Sequence, residues 1–221
     1  ETVMRAQRRA RTFMEFSGLQ EPGRAIGEVL LARTLMASGE LATAIALLRE
    51  AAAALAQTGY SWGPLALMYL AQATGQRGDP AAAAQVLARA EARHSLRSQL
   101  YAPELGLAKA WTLAAAHDLN GAVAAARAAA RTAQQSGQVA IALHALHESV
   151  RLGDTDAAGA IAEVLEAVDC TAGRIALAHA RAVATGDATA LDRVALEFAD
   201  LGMRCAAADA SAQAAMAYSA R

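Results

Sequence analysis

Apolar and small residues run in long stretches along this chain, and a turn signature breaks them at near-equal intervals. Ser38-Gly39-Glu40, Gly78-Asp79-Pro80, His117-Asp118-Leu119-Asn120, Gly153-Asp154 and Gly186-Asp187 each separate two helical patterns. Glycine ends a helix by adopting a left-handed backbone, and a following Asp, Glu or Asn favours the next helix start. Counted from Gly39, the turns recur after 39, 39, 36 and 33 residues, the period of helix-hairpin repeats. Longer joints fall at 58–63, 93–101, 137, 169–171 and 201–202, and Pro64, Pro80 and Pro103 stand where a helix would begin. The pattern predicts helices over 2–16, 23–37, 40–57, 64–76, 80–93, 103–116, 120–135, 138–151, 155–167, 172–185, 188–200 and 203–219.

The repeat has a side-chain register as well as a length. Positions five, nine and twelve after the turn residue are Ala44, Leu48 and Ala51; Ala83, Leu87 and Ala90; and Ala122, Ala126 and Ala129. Small residues there let the second helix of a pair lie close against the first. This resembles the tetratricopeptide repeat, with Gly-Asp at the turn and Ala five residues later. The likeness is strongest in the first two repeats. From Gly186 the same offsets give Leu191, Ala195 and Phe198, and His179 stands where a small residue belongs.

The expected fold is therefore all-α, a right-handed α-α superhelix (a solenoid like the tetratricopeptide repeat) of about 12 antiparallel helices. It would form one domain over 1–221, with pairs at 23–57, 64–93, 103–135, 138–167 and 172–200. The helices 2–16 and 203–219 read as half-repeats. Together with a start at Glu1 and an end at Arg221, they suggest an excerpt of a longer protein, each terminal helix keeping an apolar flank.

Composition narrows the function. Of the 221 residues, 64 are Ala and 55% are apolar, which favours packed helices and excludes a disordered tail. The net charge of -1 and the 4% aromatic content remove the case for direct nucleic-acid binding by this segment. Lys109 is the only lysine, and no Gly-Lys-Ser/Thr occurs, so a P-loop nucleotide site is excluded. Cys170 and Cys205 form neither a CxxC nor a disulfide framework, which points to a reducing compartment and inert thiols. No secretory leader is visible at Glu1–Arg5. Residues 51–76 carry no formal charge, but Gly59, Ser61, Gly63 and Pro64 break the stretch into two helices rather than a membrane span. The expected location is the cytoplasm.

Several phrases carry a closer resemblance. They are Trp62-Gly-Pro-Leu through Gly78-Asp-Pro-Ala to Glu91-Ala, Leu107-Ala-Lys-Ala-Trp111, Ala142-Leu-His-Ala-Leu-His147 with Arg151-Leu-Gly-Asp, and Phe198-Ala-Asp-Leu-Gly-Met203 with the run to Tyr218. Together they resemble the helical arm of large actinobacterial LuxR-family transcription regulators over nearly the whole chain. The resemblance implies an ATPase module before this segment and a helix-turn-helix DNA-binding module after it, and in some members an N-terminal cyclase-like domain. ATP and DNA sites would belong to those modules, so no cofactor is expected here.

Chemistry-bearing clusters are few. His144, His147 and Glu148 form His-x-x-His-Glu, whose spacing puts two imidazoles on one helix face. No third ligand accompanies them, so packing histidines are expected rather than a metal site. Arg5, Arg8, Arg9 and Arg11 make a basic stripe that reads as a solvated face or a junction. No nucleophile-base constellation or paired carboxylates can be nominated, and no enzymatic activity is expected.

The inner helices offer the remaining candidate. Six residues before each turn stand Arg33, Gln72, Trp111, His147 and Ala180; two before stand Ala37, Gln76, Ala115, Arg151 and Ala184. Arg33, Gln72, Trp111, His147 and Arg151 are the predicted binding column of a concave groove, their polar tips accessible. Trp111 fits a groove anchor and a core residue equally. The expected role is a non-catalytic sensor or coupling arm that binds a protein partner or small effector. The alternatives are a protein–protein scaffold without ligand switching and a small-molecule-binding helical domain.

Overall fold

The computed structural model describes residues 2–16 and 22–220. Among them are twelve α-helices, one 3₁₀ turn at Leu96–Tyr101, and no strand. The helices are α1 (Val3–Phe16), α2 (Gly23–Ser38), α3 (Leu41–Ala54), α4 (Trp62–Gln76), α5 (Pro80–Arg93), α6 (Ala102–Ala115), α7 (Leu119–Gln135), α8 (Val139–Arg151), α9 (Ala158–Leu165), α10 (Thr171–Thr185), α11 (Ala188–Asp200) and α12 (Arg204–Ser219). Every predicted helix is present, with its ends within three residues of expectation.

The caps explain the turns. Asp79, Asp118 and Asp187 each accept a hydrogen bond from the backbone N–H three residues on, at 3.0, 2.8 and 3.1 Å. Asp154 behaves differently. Its carboxylate accepts from Asp156 N–H, the Ser149 hydroxyl and the Arg127 guanidinium, which holds 154–157 as a loop. That is why α9 starts at Ala158 rather than at 155. The fold also turns at His117, whose φ of 63° occupies the slot that glycine fills in the other turns. The 3₁₀ turn is an addition within the predicted joint, held where the Ser98 hydroxyl accepts from Ser95 N–H at 2.9 Å.

The alanine register becomes the seam of each hairpin. Ala44, Leu48 and Ala51 are fully buried, as are Ala83 and Ala90, and Ala122 and Ala126. Leu191 and Phe198 take the same role at larger size near the C-terminus. The helices approach closely where side chains vanish: a Cβ on Gly75 would lie 2.6 Å from the Trp111 carbonyl oxygen, and one on Gly106 would lie 2.8 Å from the Ala129 Cβ.

The even-numbered helices form an inner layer. Each packs on the next from α2 to α10, and the odd-numbered helices α3, α5, α7, α9 and α11 back them. Helix α4, buried continuously from Leu65 to Gly75, lies against α2, α3, α5 and α6. Its enclosure by protein accounts for the uncharged stretch, and no described helix is long and apolar enough to cross a membrane. The last helix then brings the ends together. Helix α12 contacts both α8 and α2, Val3 N–H donates to the Leu201 carbonyl at 3.0 Å, and Gly39 lies beside Cys205. Terminal helices keep exposed apolar residues: Met4, Phe13 and Phe16 on α1, Met216 and Tyr218 on α12.

Candidate functional site

The inner layer lines a partly open cavity of about 200 Å³. Helix α2 contributes Arg33, Met36 and Ala37; α4 contributes Gln72 and Gln76. Helix α8 contributes His144, His147, Glu148 and Arg151, and the start of α12 closes the space with Cys205 and Ala206. Four of the five predicted column residues, Arg33, Gln72, His147 and Arg151, therefore line one space. The fifth, Trp111, lies behind it in contact with Arg151.

Accessible polar tips, as expected of an open groove, are not what these residues have. Gln72 is 2% exposed and His147 4%, the first packed against α6 and the second against His179 and Phe198. The Gln72 amide donates to the Glu104 carbonyl at 3.1 Å instead of facing solvent. Trp111 is 9% exposed and resolves toward the core, with its indole N–H committed to Glu148 at 2.6 Å.

A charged network forms the floor. Arg151 donates to Glu148 at 2.8 Å and to Asp209 at 2.7 Å, and its guanidinium lies 4.9 Å from the Trp111 ring centre. This satisfies a buried guanidinium on both edges and one face. Burial opposes ionisation of Glu148, but Arg151, His144 and His147 together outweigh it and hold the carboxyl at about 2. Asp209 is pushed up by burial, with Arg151 pulling the other way.

Beside it stands a histidine relay that the sequence reading missed in part. His147 Nε2 lies 3.2 Å from His179 Nδ1, and His179 Nε2 lies 2.6 Å from Gln213 Oε1. The Gln213 amide N–H₂ donates to the Val150 carbonyl at 2.9 Å, which fixes its oxygen toward His179. His179 must then carry its proton on Nε2, and His147 donates from Nε2 to the vacant Nδ1. Phe198 stacks on His147 at 4.8 Å between centroids. Burial lowers both imidazoles below 6.5, His179 to about 4, so the relay is neutral at pH 7.

His144 faces the cavity with 30% of its side chain accessible, and desolvation followed by Arg33 lowers it to about 4. It points to Glu148, 3.8 Å away, whereas His147 points to His179, so the His-x-x-His-Glu pair does not converge on one point. Among the described residues, no three His, Cys, Asp or Glu side chains are grouped to hold a metal. The Cys205 thiol is pushed up by burial, which keeps it protonated. Arg5, Arg8, Arg9 and Arg11 are all exposed on α1, which does not line the cavity.

Asp209, His179 and Gln213 escaped the column because they come from α10 and α12. His179 falls one position off the six-before-turn register, and its departure from the small-residue pattern was the one visible signal. No family model matches the chain, and no curated protein sequence matches it.

Proposed function

We propose that this chain is the non-catalytic sensing and coupling arm of a LuxR-family transcription regulator, built as a right-handed superhelix of hairpins like the tetratricopeptide repeat. One observation carries the sensing part: the walls of the cavity come from α2 and α4 on one side and from α8 and α12 on the other. Whatever fills that space interacts with helices distant in sequence and favours the arrangement in which α12 is seated. A ligand can shift an equilibrium only by its differential affinity for the two states. Here that difference is supplied by contacts that exist only when α12 closes the wall. The assignment to a regulator rests on the sequence resemblance, which places ATPase and DNA-binding modules outside this segment and the protein in the cytoplasm. In this reading the arm itself neither hydrolyses ATP nor binds duplex DNA.

Hydrogen exchange on the purified chain tests the reading, with binding followed in parallel by calorimetry. Saturable ligand binding accompanied by added protection at α2, α8 and α12 supports it. Binding in the cavity with unchanged protection of α12 overturns it. A protein–protein scaffold takes its support from another place, the exposed Met4, Phe13 and Phe16 on α1.

A further inference from the structure

A second recess, open to solvent, lies at the joint between the α2–α3 and α4–α5 hairpins. The end of α3 and the loop into α4 form one side, with Gly59, Tyr60 and Ser61; the end of α5 and the 3₁₀ turn form the other, with Arg93, Ser95 and Arg97. No carboxylate lines it. That sets it apart from the inner cavity and from the Asp154 loop, where Arg151 is paired to Glu148 and Asp209 and Arg127 to Asp154 and Asp156. Arg93 and Arg97 form no ion pair among the described residues. Neutral backbone positions them instead. Arg93 Nη1 donates to the Ala56 carbonyl at 3.0 Å, which occupies one of its five N–H donors and none of its charge. Arg97 reaches across Gly59, its Nη1 4.0 Å from where a Cβ would stand, and the φ of 70° at Gly59 is one that glycine adopts without strain. Both arginines are exposed. Hydroxyls complete the wall: Ser61 precedes α4 without capping it, and Tyr60 and Ser95 are exposed. Ser98, by contrast, is buried and bonded to Ser95 and His94.

We propose that this recess binds a dianionic phosphate group, held by Arg93 and Arg97, with the Ser61 and Ser95 hydroxyls donating to its remaining oxygens. The site is separate from the inner cavity and independent of the sensing reading. Charge selects the ligand class. Two guanidiniums without a carboxylate between them match a dianion, whereas a carboxylate would neutralise only one. A phosphate monoester carries about −1.5 to −2 at pH 7 and presents three strong acceptor oxygens, which suits a wall made of N–H and O–H donors. The exposed Tyr60 ring offers an apolar surface beside the donors for the organic part of an ester.

The test is calorimetry on the full chain at physiological ionic strength, where diffuse attraction to surface charge is screened. Phenyl phosphate and inorganic phosphate are the probes, and benzoate is the singly charged control. At least one phosphate should bind saturably, with benzoate about tenfold or more weaker than phenyl phosphate. Arg97→Gln and Arg93→Gln should each weaken phosphate binding about tenfold or more. Arg97→Gln keeps the test informative if loss of the Arg93 bond to Ala56 loosens the end of α3. Arg193→Gln, which removes an exposed arginine on α11, should leave binding unchanged. Phenyl phosphate binding at least as tightly as inorganic phosphate identifies an organic phosphate as the ligand; tighter binding of inorganic phosphate identifies the free ion. Benzoate binding as tightly as phenyl phosphate, undiminished phosphate binding by Arg97→Gln, an equal loss in Arg193→Gln, or no saturable binding of either phosphate overturns the proposal.

Discussion

The first five helices and the last five build hairpins on the same plan around different interiors. In α2–α5 the largest fully buried side chains are Leu35, Ile45, Leu48 and Met68, packed on alanine seams, with Tyr69, Glu28 and Gln72 the main polar groups buried beside them. In α8–α12 the interior includes His147, Glu148, Asp154 and His179, with Arg151 nearly buried beside them. The apolar half is stabilised by area removed from water, on the order of 1.5–3 kcal/mol for each such side chain. The polar half follows another rule. Its groups tolerate burial because nearly every one has a partner, and a buried ion pair contributes little net stability while leaving half of it behind is costly. One half is therefore strict in volume; the other is strict in pairing.

The sharpest way to break this contrast is Arg151→Met, which strands Glu148 and Asp209. It should cost about 3–5 kcal/mol of unfolding free energy in denaturant melts. Replacing Arg151, Glu148 and Asp209 together with apolar residues of similar volume should recover most of that loss. A triple variant as unstable as the single would show that packing, not pairing, holds this region.

Next in size comes Ala44→Leu or Ala83→Leu. Both sites are fully buried in seams of the apolar half, and overpacking should cost about 1–3 kcal/mol. An unchanged midpoint would contradict the seam described above.

Acid should separate the halves without a mutation. His144 and His179 sit near 4 in the folded chain and start from 6.5 unfolded, so their native pKa values are depressed. Unfolding then takes up protons below pH 6.5, and stability falls as pH drops from 6.5 towards 4. His147 shifts in the same direction. Glu148, held at about 2, adds a further loss below about 4.5, while Glu104 and Asp209, both raised by burial, act in the opposite sense. Hydrogen exchange should show α8, α10 and α12 losing protection before α3 and α4. His179→Gln should flatten the dependence between pH 6.5 and 4.

The smallest expected effect is His117→Gly. A left-handed backbone costs a side-chain-bearing residue roughly 1–2 kcal/mol, and glycine's unfolded-state entropy offsets part of the gain. A rise in stability of up to about 1 kcal/mol should follow in thermal melts.

Much of this architecture was legible in the chain because it is local. The turn residues, the Asp caps and the small positions five residues later act within one hairpin, so Ala44, Ala83 and Ala122 could be placed without knowing the rest. The column Arg33, Gln72, His147 and Arg151 could be aligned for the same reason. What periodicity could not supply was α12. Its docking on α2 and α8 joins helices more than fifty residues apart, and it brings Asp209, Gln213 and Cys205 to a column that has no register with them. It also narrows an expected open groove into a partly covered cavity. The orientation of Trp111 was undecidable for a related reason: its partner, Glu148, lies on a different hairpin.

The hydrogen bond from Val3 to Leu201 changes how the chain must fold. A linear array of hairpins can grow from any point, each unit depending on its neighbours alone. Here the start of α1 and the end of α11 also depend on each other, across nearly the full length of the chain. Hairpins form through short-range contacts, whereas seating α12 closes the longest loop in the molecule, and that entropy is recovered only when the rest is in place. The closing step is therefore expected late in folding and first to reverse, an order that pulsed hydrogen exchange at α12 would check. The excursion expected first is the undocking of α12 from α2 and α8, which opens the space beside the histidines and Arg151.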